Sequence, residues 1–150
     1  MTFRPERLTP RTLHRVRAIT RTANAPWWAQ DVEDFLLVGA PNLVLARTGS
    51  VLLIVDDDDV IVAVAAHQRH VKFNAELLQA FLVLPEHRGK GRAVEALGCT
   101  LKSIHASAGV EFIMWLVHEE NIYMQKASQK AGGQQAGSVD DMGFLAYAQP

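Results

Sequence analysis

The run of residues 77–84 (LLQAFLVL) constrains the fold more than any other part of the sequence, because it is apolar almost throughout and stops at Pro85. A strand with one face in water alternates apolar and polar residues, whereas a nearly continuous apolar run is typical of a strand buried on both faces. Such a strand lies in the middle of a sheet. The sequence therefore predicts a central sheet that is covered by helices.

The other elements are predicted from residue periodicity and from glycine and proline breaks. Apolar residues at helical spacing predict helices, and runs rich in β-branched and aliphatic residues predict strands. A meander of strands followed by alternating strands and helices describes an α+β fold with a mostly antiparallel sheet. The predicted helices are 9–22, 28–38, 91–108 and 122–131, and the predicted strands are 43–46, 51–55, 60–66, 77–84 and 110–117, with one or two more strands before Tyr147.

Length and composition indicate a single folded domain, 1–150. The chain has 150 residues, 49% of them hydrophobic and 21% charged, which is typical of a globular protein with a core of its own. The lone Cys99 cannot form an internal disulfide, and cysteines and histidines show no zinc-site spacing, so we expect a metal-free protein of the reducing cytoplasm. No signal-like or membrane-length apolar segment is present in the sequence, so we expect no membrane association.

The segment from Arg88 to Ala93 predicts an anion site. A buried strand ends at Pro85, and a loop with two glycines then opens an amphipathic helix. The first N–H groups of a helix have no intrahelical partners, and the helix dipole is positive there, so an anion is bound favourably. Gly89 and Gly91 let a phosphate approach the backbone, and Arg88, Lys90 and Arg92 add positive charge. The nucleotide P-loop and the GxGxxG dinucleotide fingerprint are both absent.

This segment resembles motif A of the GCN5-related N-acetyltransferases (GNAT), Q/R-x-x-G-x-G/A, at Arg88, Gly91 and Ala93. The family's V-x-P-E-x-R lead-in is matched at Val83, Pro85 and Glu86. A second, looser resemblance lies at Asn121, Lys130 and Gly132, after the predicted strand 110–117. Outside these two blocks, the similarity rests on the order of the elements.

The resemblance implies a three-layer α/β/α fold whose central sheet splays open between the strands 77–84 and 110–117. It also implies acetyl-CoA as co-substrate, without a metal, and direct attack of an amine on the thioester. The expected oxyanion donor is a backbone amide near Val83. The residues that the resemblance implies as cofactor-binding are Leu82, Val83, Arg88, Gly89, Lys90, Gly91, Arg92, Ala93, Asn121 and Ser128.

The chain departs from the family pattern where catalysis is concerned. Ser128 stands where the family usually has a tyrosine that protonates the departing thiolate, and Gly133 stands where it has an aromatic residue. The candidate bases are Glu119, His118 and Glu76; for the first two, solvated charge at a strand end is an equally good interpretation. Asn121 is also a good helix N-cap, and the two roles are compatible.

The identity of the acceptor stays open. A small-molecule or protein amine fits the family, and a homodimer is compatible with the sequence. Nucleic acid is less favoured: six arginines precede Asp31 against one acid, Glu6, but no aromatic stacking platform accompanies them. A non-catalytic acyl-CoA-binding domain is the other alternative. The acidic run 56–59 is interpreted as a solvated hairpin turn, His67 and His70 as surface histidines, and Trp27 and Trp28 as core or acceptor-loop residues.

Overall fold

The computed structural model describes residues 2–12, 14–17, 49–70, 72–137 and 139–150. These residues form one seven-stranded sheet in the order β1-β2-β3-β4-β5-β7-β6. All neighbouring strands are antiparallel except β4 and β5, which are parallel, so the α+β prediction with a mostly antiparallel sheet is confirmed. The strands are β1 (Arg4–Arg7), β2 (Ser50–Val55), β3 (Ile61–Arg69), β4 (Ala75–Val83), β5 (Phe112–His118), β6 (Gln134–Gln135) and β7 (Phe144–Gln149), and the helices are α1 (His14–Arg17), α2 (Arg92–Ala108) and α3 (Ile122–Lys130).

The N-terminal segment differs from its prediction. Arg4–Arg7 forms an edge strand on β2, although its charges and Pro5 gave no strand signal. Edge strands tolerate proline and charge because one of their sides needs no partner strand. Of the predicted helix 9–22, the structure shows a turn at the start and then His14–Arg17 as α1, and the rest lies outside the described residues. The predicted helix 28–38 and strand 43–46 lie outside them as well.

Apolar side chains are buried on both faces of the sheet. On one face α2 packs its buried residues, among them Leu97, Leu101 and Ile104, against Ile54 and Ile113. The opposite face holds a second cluster that comes mainly from β2, β3 and the end of β4. The prediction of a central strand with both faces covered is therefore confirmed for β4, whose residues belong to both clusters.

The sheet splays open between its two parallel strands. Registered pairs between β4 and β5 run from Ala75 with Phe112 to Leu78 with Trp115 and stop there. Beyond this point β4 stays paired with β3, and β5 stays paired with β7 as far as His118. At the same point β4 carries a β-bulge. On β3, Ala66 pairs with Ala80 and the next residue, His67, pairs with Leu78. Gln79 of β4 is therefore the extra residue. The predicted splay is present.

No helix within the described residues combines the length and the apolar character that crossing a membrane requires.

Candidate functional site

The loop between β4 and α2 leaves backbone N–H groups at the start of a long helix. A 3-10 turn, Pro85–His87, follows the strand, and Gly89 and Gly91 adopt left-handed conformations with φ of 78° and 72°. Among the described residues, no side chain caps the N-terminus of α2, and a Cβ added at either glycine would meet nothing within 4 Å. The left-handed backbone, rather than crowding, favours glycine here. Residues 88–91, which we call the anion loop, are exposed, and free N–H groups at a helix start favour a bound anion.

The basic side chains of this loop have different surroundings. Arg88 is exposed, and its Nε donates to the carbonyl of Val83 at 2.9 Å, so the side chain ties the loop to the strand. Arg92 donates from Nη1 to Nδ1 of His87. Lys90 is exposed. Arg88 and Lys90 are both exposed and place positive charge at the loop, and Arg88 in addition holds the loop against the strand.

An acid lies close to the same loop. Asp56, at the end of β2, accepts hydrogen bonds on Oδ1 from the N–H groups of Val60 at 3.0 Å and Asp58 at 2.9 Å. The pKa of Asp56 lies below its usual value, first because of the bond from Val60, although burial opposes this effect, and further because of the charges of Arg92 and His87. The acidic turn forms part of the scaffold, since Arg4 bonds the Asp56 carbonyl and pairs with Asp59 at 2.5 Å.

The splay forms a cleft between β4 and β5 that is lined mainly by apolar side chains. It shares its walls with the first turn of α3 and with Phe144 of β7. The side chains of Leu82 and Val83 are buried in the two cores, and neither residue is among those that line the cleft, so contact of their backbone with the cofactor stays a prediction. The lining residues are Leu78, Gln79, Ala80, Phe81, Trp115, Leu116, Val117, His118, Asn121, Met124 and Phe144.

Asn121 is the N-cap of α3. Its Oδ1 accepts from the N–H of Met124 at 3.1 Å, as the capping interpretation predicts. The residue also lines the cleft, which leaves its amide NH2 available for a ligand. The structure is compatible with both roles, and contact with the cofactor stays a prediction.

Two of the three candidate bases lie together at the end of β5. His118 is 7% exposed, lines the cleft and packs edge-on against Phe144 at 5.2 Å between ring centroids. Its Nδ1 accepts from the N–H of Glu120 at 3.2 Å. Two side-chain atoms approach Gly143. A Cβ added at this glycine would lie 2.9 Å from Nε2 of His118 and 3.4 Å from Oε1 of Glu119. His118 and the exposed Glu119 are therefore neighbours beside Gly143, and His118 is the one of the two that lines the cleft.

Glu76 is placed elsewhere. Its carboxylate bonds Nδ1 of His67 at 2.7 Å, and both side chains are less than a tenth exposed. Arg69 lies 3.9 Å from the same carboxylate and donates to the carbonyl of Ala108, at the C-terminus of α2. The anion loop lies at the other end of this helix, about 25 Å away at 1.5 Å per residue. Glu76 is not among the residues that line the cleft. His67 is buried, so the interpretation of His67 as a surface histidine is wrong.

Ser128 is also removed from the expected cofactor contacts. It is fully buried at 0% exposure, and its Oγ accepts from Nε1 of Trp115 at 2.9 Å. The indole also covers Gly133, where an added Cβ would lie 2.6 Å from the ring. A residue without exposed surface cannot touch a ligand in this conformation. The expectation that Ser128 contacts the cofactor needs correction: it anchors the tryptophan that forms the cleft wall.

Several lining residues gave no signal in the sequence. Trp115, Met124 and Phe144 read as ordinary apolar positions, and Gln79 as an interruption of the run 77–84. The bulge turns Gln79 outward and makes it exposed within an otherwise buried strand. A polar residue within an otherwise apolar run is the sequence feature that indicates this exposure.

Comparison with known proteins agrees with this geometry. Residues 12–134 match the acetyltransferase (GNAT) domain family. No curated protein matches the sequence. Solved structures share the fold at low identity, and three of them illustrate its range.

The first is a chimera of the spermidine N-acetyltransferase SpeG from Vibrio cholerae with hSSAT, with 14% identity and a TM-score of 0.73 over 99% of this chain and 95% of that chain. The second is AAC(6')-Ib in complex with paromomycin and acetyl-CoA, with 14% identity and a TM-score of 0.74 over 99% and 93% of the two chains. The third is a ribosomal-protein-S5-alanine acetyltransferase from Vibrio fischeri, with 14% identity and a TM-score of 0.64 over 99% and 93%.

At this identity the solved structures support the fold, while the family match covers well over half of the sequence. A splayed sheet with an anion loop at the start of its long helix, together with that match, makes this chain an acyltransferase that belongs to the GNAT family.

Proposed function

We propose that this chain is an N-acetyltransferase that moves an acetyl group from acetyl-CoA to an amine by direct attack in a ternary complex. The observation that carries the proposal is the splay between β4 and β5, which opens next to the anion loop at the start of α2. A thioester co-substrate with a pyrophosphate at one end needs both features side by side.

The residues present fit acetyl-CoA. The exposed loop from Gly89 to Arg92 would hold the pyrophosphate at the N-terminus of α2. From Gln79 at the bulge to Val83, its last residue on the side of the loop, β4 spans about 13 Å at roughly 3.3 Å per residue. An extended pantetheine arm has a similar reach. The edge of β4 along this stretch has no registered partner on β5, so its backbone groups are available to the arm.

The chemistry requires an unprotonated amine and a donor for the developing oxyanion. The backbone N–H groups of β4 that face the opening, between Gln79 and Val83, are the donors that we assign to the oxyanion, and such a donor contributes a few kcal/mol. Because Nδ1 of His118 already accepts a hydrogen bond, a neutral His118 carries its proton on Nε2 and acts as a donor. This leaves Glu119 as the carboxylate that takes the amine's proton, directly or through water.

The departing thiolate does not need the family's tyrosine. A thiol has a reference pKa of about 8.5, so a thiolate is a fair leaving group near neutral pH and water can protonate it. Ser128, buried under Trp115, takes no part in this step.

The first test is calorimetric titration of the protein with acetyl-CoA, CoA and ATP in parallel. We expect acetyl-CoA and CoA to bind more tightly than ATP, and we expect Lys90→Glu to weaken their binding strongly, since it reverses a charge in the anion loop. Lys102→Glu is the matched control, because Lys102 is an exposed lysine more than two turns further along α2. Arg88 is less suitable for this test, since its side chain holds the Val83 carbonyl.

A screen of amines with acetyl-CoA then tests transfer. Release of CoA that depends on an amine supports the proposal. Absence of acetyl-CoA binding, or equal losses in the Lys90→Glu and Lys102→Glu variants, contradicts the assignment of the loop.

A further inference from the structure

A second cavity lies at the closed end of the splay and continues the cleft. It has a volume of about 440 Å³. It shares Leu78, Gln79, Trp115 and Leu116 with the cleft described above, and Leu77, Met114 and Ala146 complete it. Since the thioester is expected near Gln79, this cavity lies where the transferred acyl group meets the acceptor.

The exposure of Leu116 shows that this part of the sheet presents apolar surface. Leu116 is 60% exposed, whereas its strand neighbours Trp115 and Val117 are 4% and 3% exposed. It lies in the middle of β5, paired with Ala146 of β7, so it is not at a frayed strand end. A large apolar side chain on the wall of a concave site is typical of a residue that contacts a ligand.

The cavity has no charge among the lining residues that the structure describes. Of the seven described residues that line the cavity, Gln79 is the one with a polar side chain, and the other six are apolar or aromatic. A polycationic acceptor such as spermidine needs carboxylates close to its ammonium groups, because a desolvated charge must be paired. The described part of the lining offers no carboxylate, and its apolar side chains are suited to alkyl or aryl groups.

We propose that the cavity binds an apolar group of the substrate pair, either an alkyl or aryl group of the amine or an acyl chain longer than acetyl. At about 30 Å³ for each water-sized unit, the cavity has room for roughly a dozen non-hydrogen atoms. The inference rests on the proposed acyl transfer and adds the substrate class. Gln79, at the bulge, is placed to donate or accept one hydrogen bond beside the reacting atoms.

The test measures kcat/KM for two series. The first compares 2-phenylethylamine with spermidine as acceptors of acetyl-CoA, and the second compares acetyl-, butyryl- and hexanoyl-CoA with one amine. We expect at least a tenfold preference in the series whose apolar group enters the cavity, with a gain of about fourfold for each added methylene. A preference in the first series places the amine in the cavity, and a preference in the second places the acyl chain there.

Substitutions at Met114 provide a matched pair, since Met, Gln and Glu are similar in length and Met114 lines this cavity but not the rest of the cleft. We expect Met114→Glu to lower kcat/KM for the preferred apolar substrate at least tenfold and Met114→Gln to lower it less. Ala146→Leu, which fills the cavity without adding charge, should exclude the larger substrate and spare the smaller one. Thermal melting of each variant verifies that it folds.

The result that overturns the inference is a tenfold preference for spermidine together with a steady fall from acetyl- to hexanoyl-CoA. Failure of the proposed function looks different, because acetyl-CoA then does not bind in calorimetry or no amine is acetylated. If acetyl-CoA still binds and an amine is still acetylated, but the substrate preference is the opposite of the expected one, the proposed function stands and the assignment of the cavity to an apolar group is rejected.

Discussion

Glu119 and Glu120 are adjacent carboxylates in different settings. Glu119 approaches Gly143 together with Nε2 of His118, whereas Glu120 contributes its backbone N–H to that imidazole. If Glu119 takes the proton of the amine, we expect Glu119→Gln to lower kcat by about 100-fold. Acetyl-CoA affinity should stay unchanged. Steady-state kinetics and calorimetry check both expectations.

Glu120→Gln is the control for Glu119, because it removes a neighbouring exposed carboxylate and keeps the backbone donor. We expect its kcat to stay within about twofold of the unaltered protein, as for surface substitutions in general. Equal losses in the two variants would show that local charge matters and that Glu119 has no specific role.

The contact between Trp115 and Ser128 makes a second residue-scale prediction. Removing one partner leaves a buried polar group without its hydrogen bond, so Ser128→Ala should destabilise the fold by about 1–3 kcal/mol. Trp115→Phe alone should cost more, because volume is lost as well. The double variant should cost less than the sum of the two single changes. Urea unfolding of the three variants measures this, and strict additivity would contradict the contact.

The same pair shows where sequence reasoning about the site reached its limit. The geometry of the anion loop followed from local order, since a strand, a proline, two glycines and an amphipathic helix fix the backbone there. The family pattern implies that Ser128 binds the cofactor, but such a pattern gives the position of a residue in the sequence and not the direction of its side chain. Its burial depends on Trp115, thirteen positions earlier along the chain, and such a tertiary contact leaves no periodicity to detect.

At the scale of elements, the start of α3 carries both a cap and a candidate ligand contact. Asn121→Ala should destabilise the protein by about 1 kcal/mol, because the N–H of Met124 loses its acceptor. Asn121→Asp keeps that acceptor and should leave stability unchanged. If the side-chain NH2 also donates to pantetheine, the aspartate should weaken acetyl-CoA binding by about tenfold, the size of one hydrogen bond. Thermal melting measures the effect on stability, and calorimetry measures the effect on acetyl-CoA binding. If Asn121→Asp binds acetyl-CoA with unchanged affinity, Asn121 acts as a helix cap and does not contact the cofactor.

Helices and strands with a clear hydrophobic periodicity were predicted well. Strand β1, which depends on its contacts with neighbouring elements, was not predicted. The helix 91–108 and the strand 77–84 agree with α2 and β4 to within a few residues. β1 has neither alternation nor β-branched residues. It is a strand because β2 offers a free edge and because Arg4 pairs with the acidic turn at Asp59. Strand β1 therefore forms because of contacts with residues distant in sequence, and local sequence patterns do not indicate such contacts.

At the scale of the whole molecule, the sheet consists of two parts that share four registered pairs. Strands β1 to β4 form one part, and β5, β7 and β6 form the other, joined from Ala75 with Phe112 to Leu78 with Trp115. A co-substrate seated in the splay touches both parts. Binding should therefore stabilise the entire fold, by about 2.7 kcal/mol at a ligand concentration 100 times Kd. For a chain of this length, this is a rise in Tm of about 5–10 °C.

Hydrogen exchange should show where this stabilisation begins. In the free protein, the backbone amides of β4 between Gln79 and Val83 that face the opening have no registered partner on β5, so they should exchange faster than those of the paired stretch before the bulge. Saturating acetyl-CoA should slow the exchange of this segment at least tenfold, because the pantetheine arm takes the place of a missing strand. The Lys90→Glu variant should show neither this local protection nor the rise in Tm at the same ligand concentration. Protection confined to the anion loop would mean that the cofactor is held by its phosphates alone and that the splay is not its binding cleft.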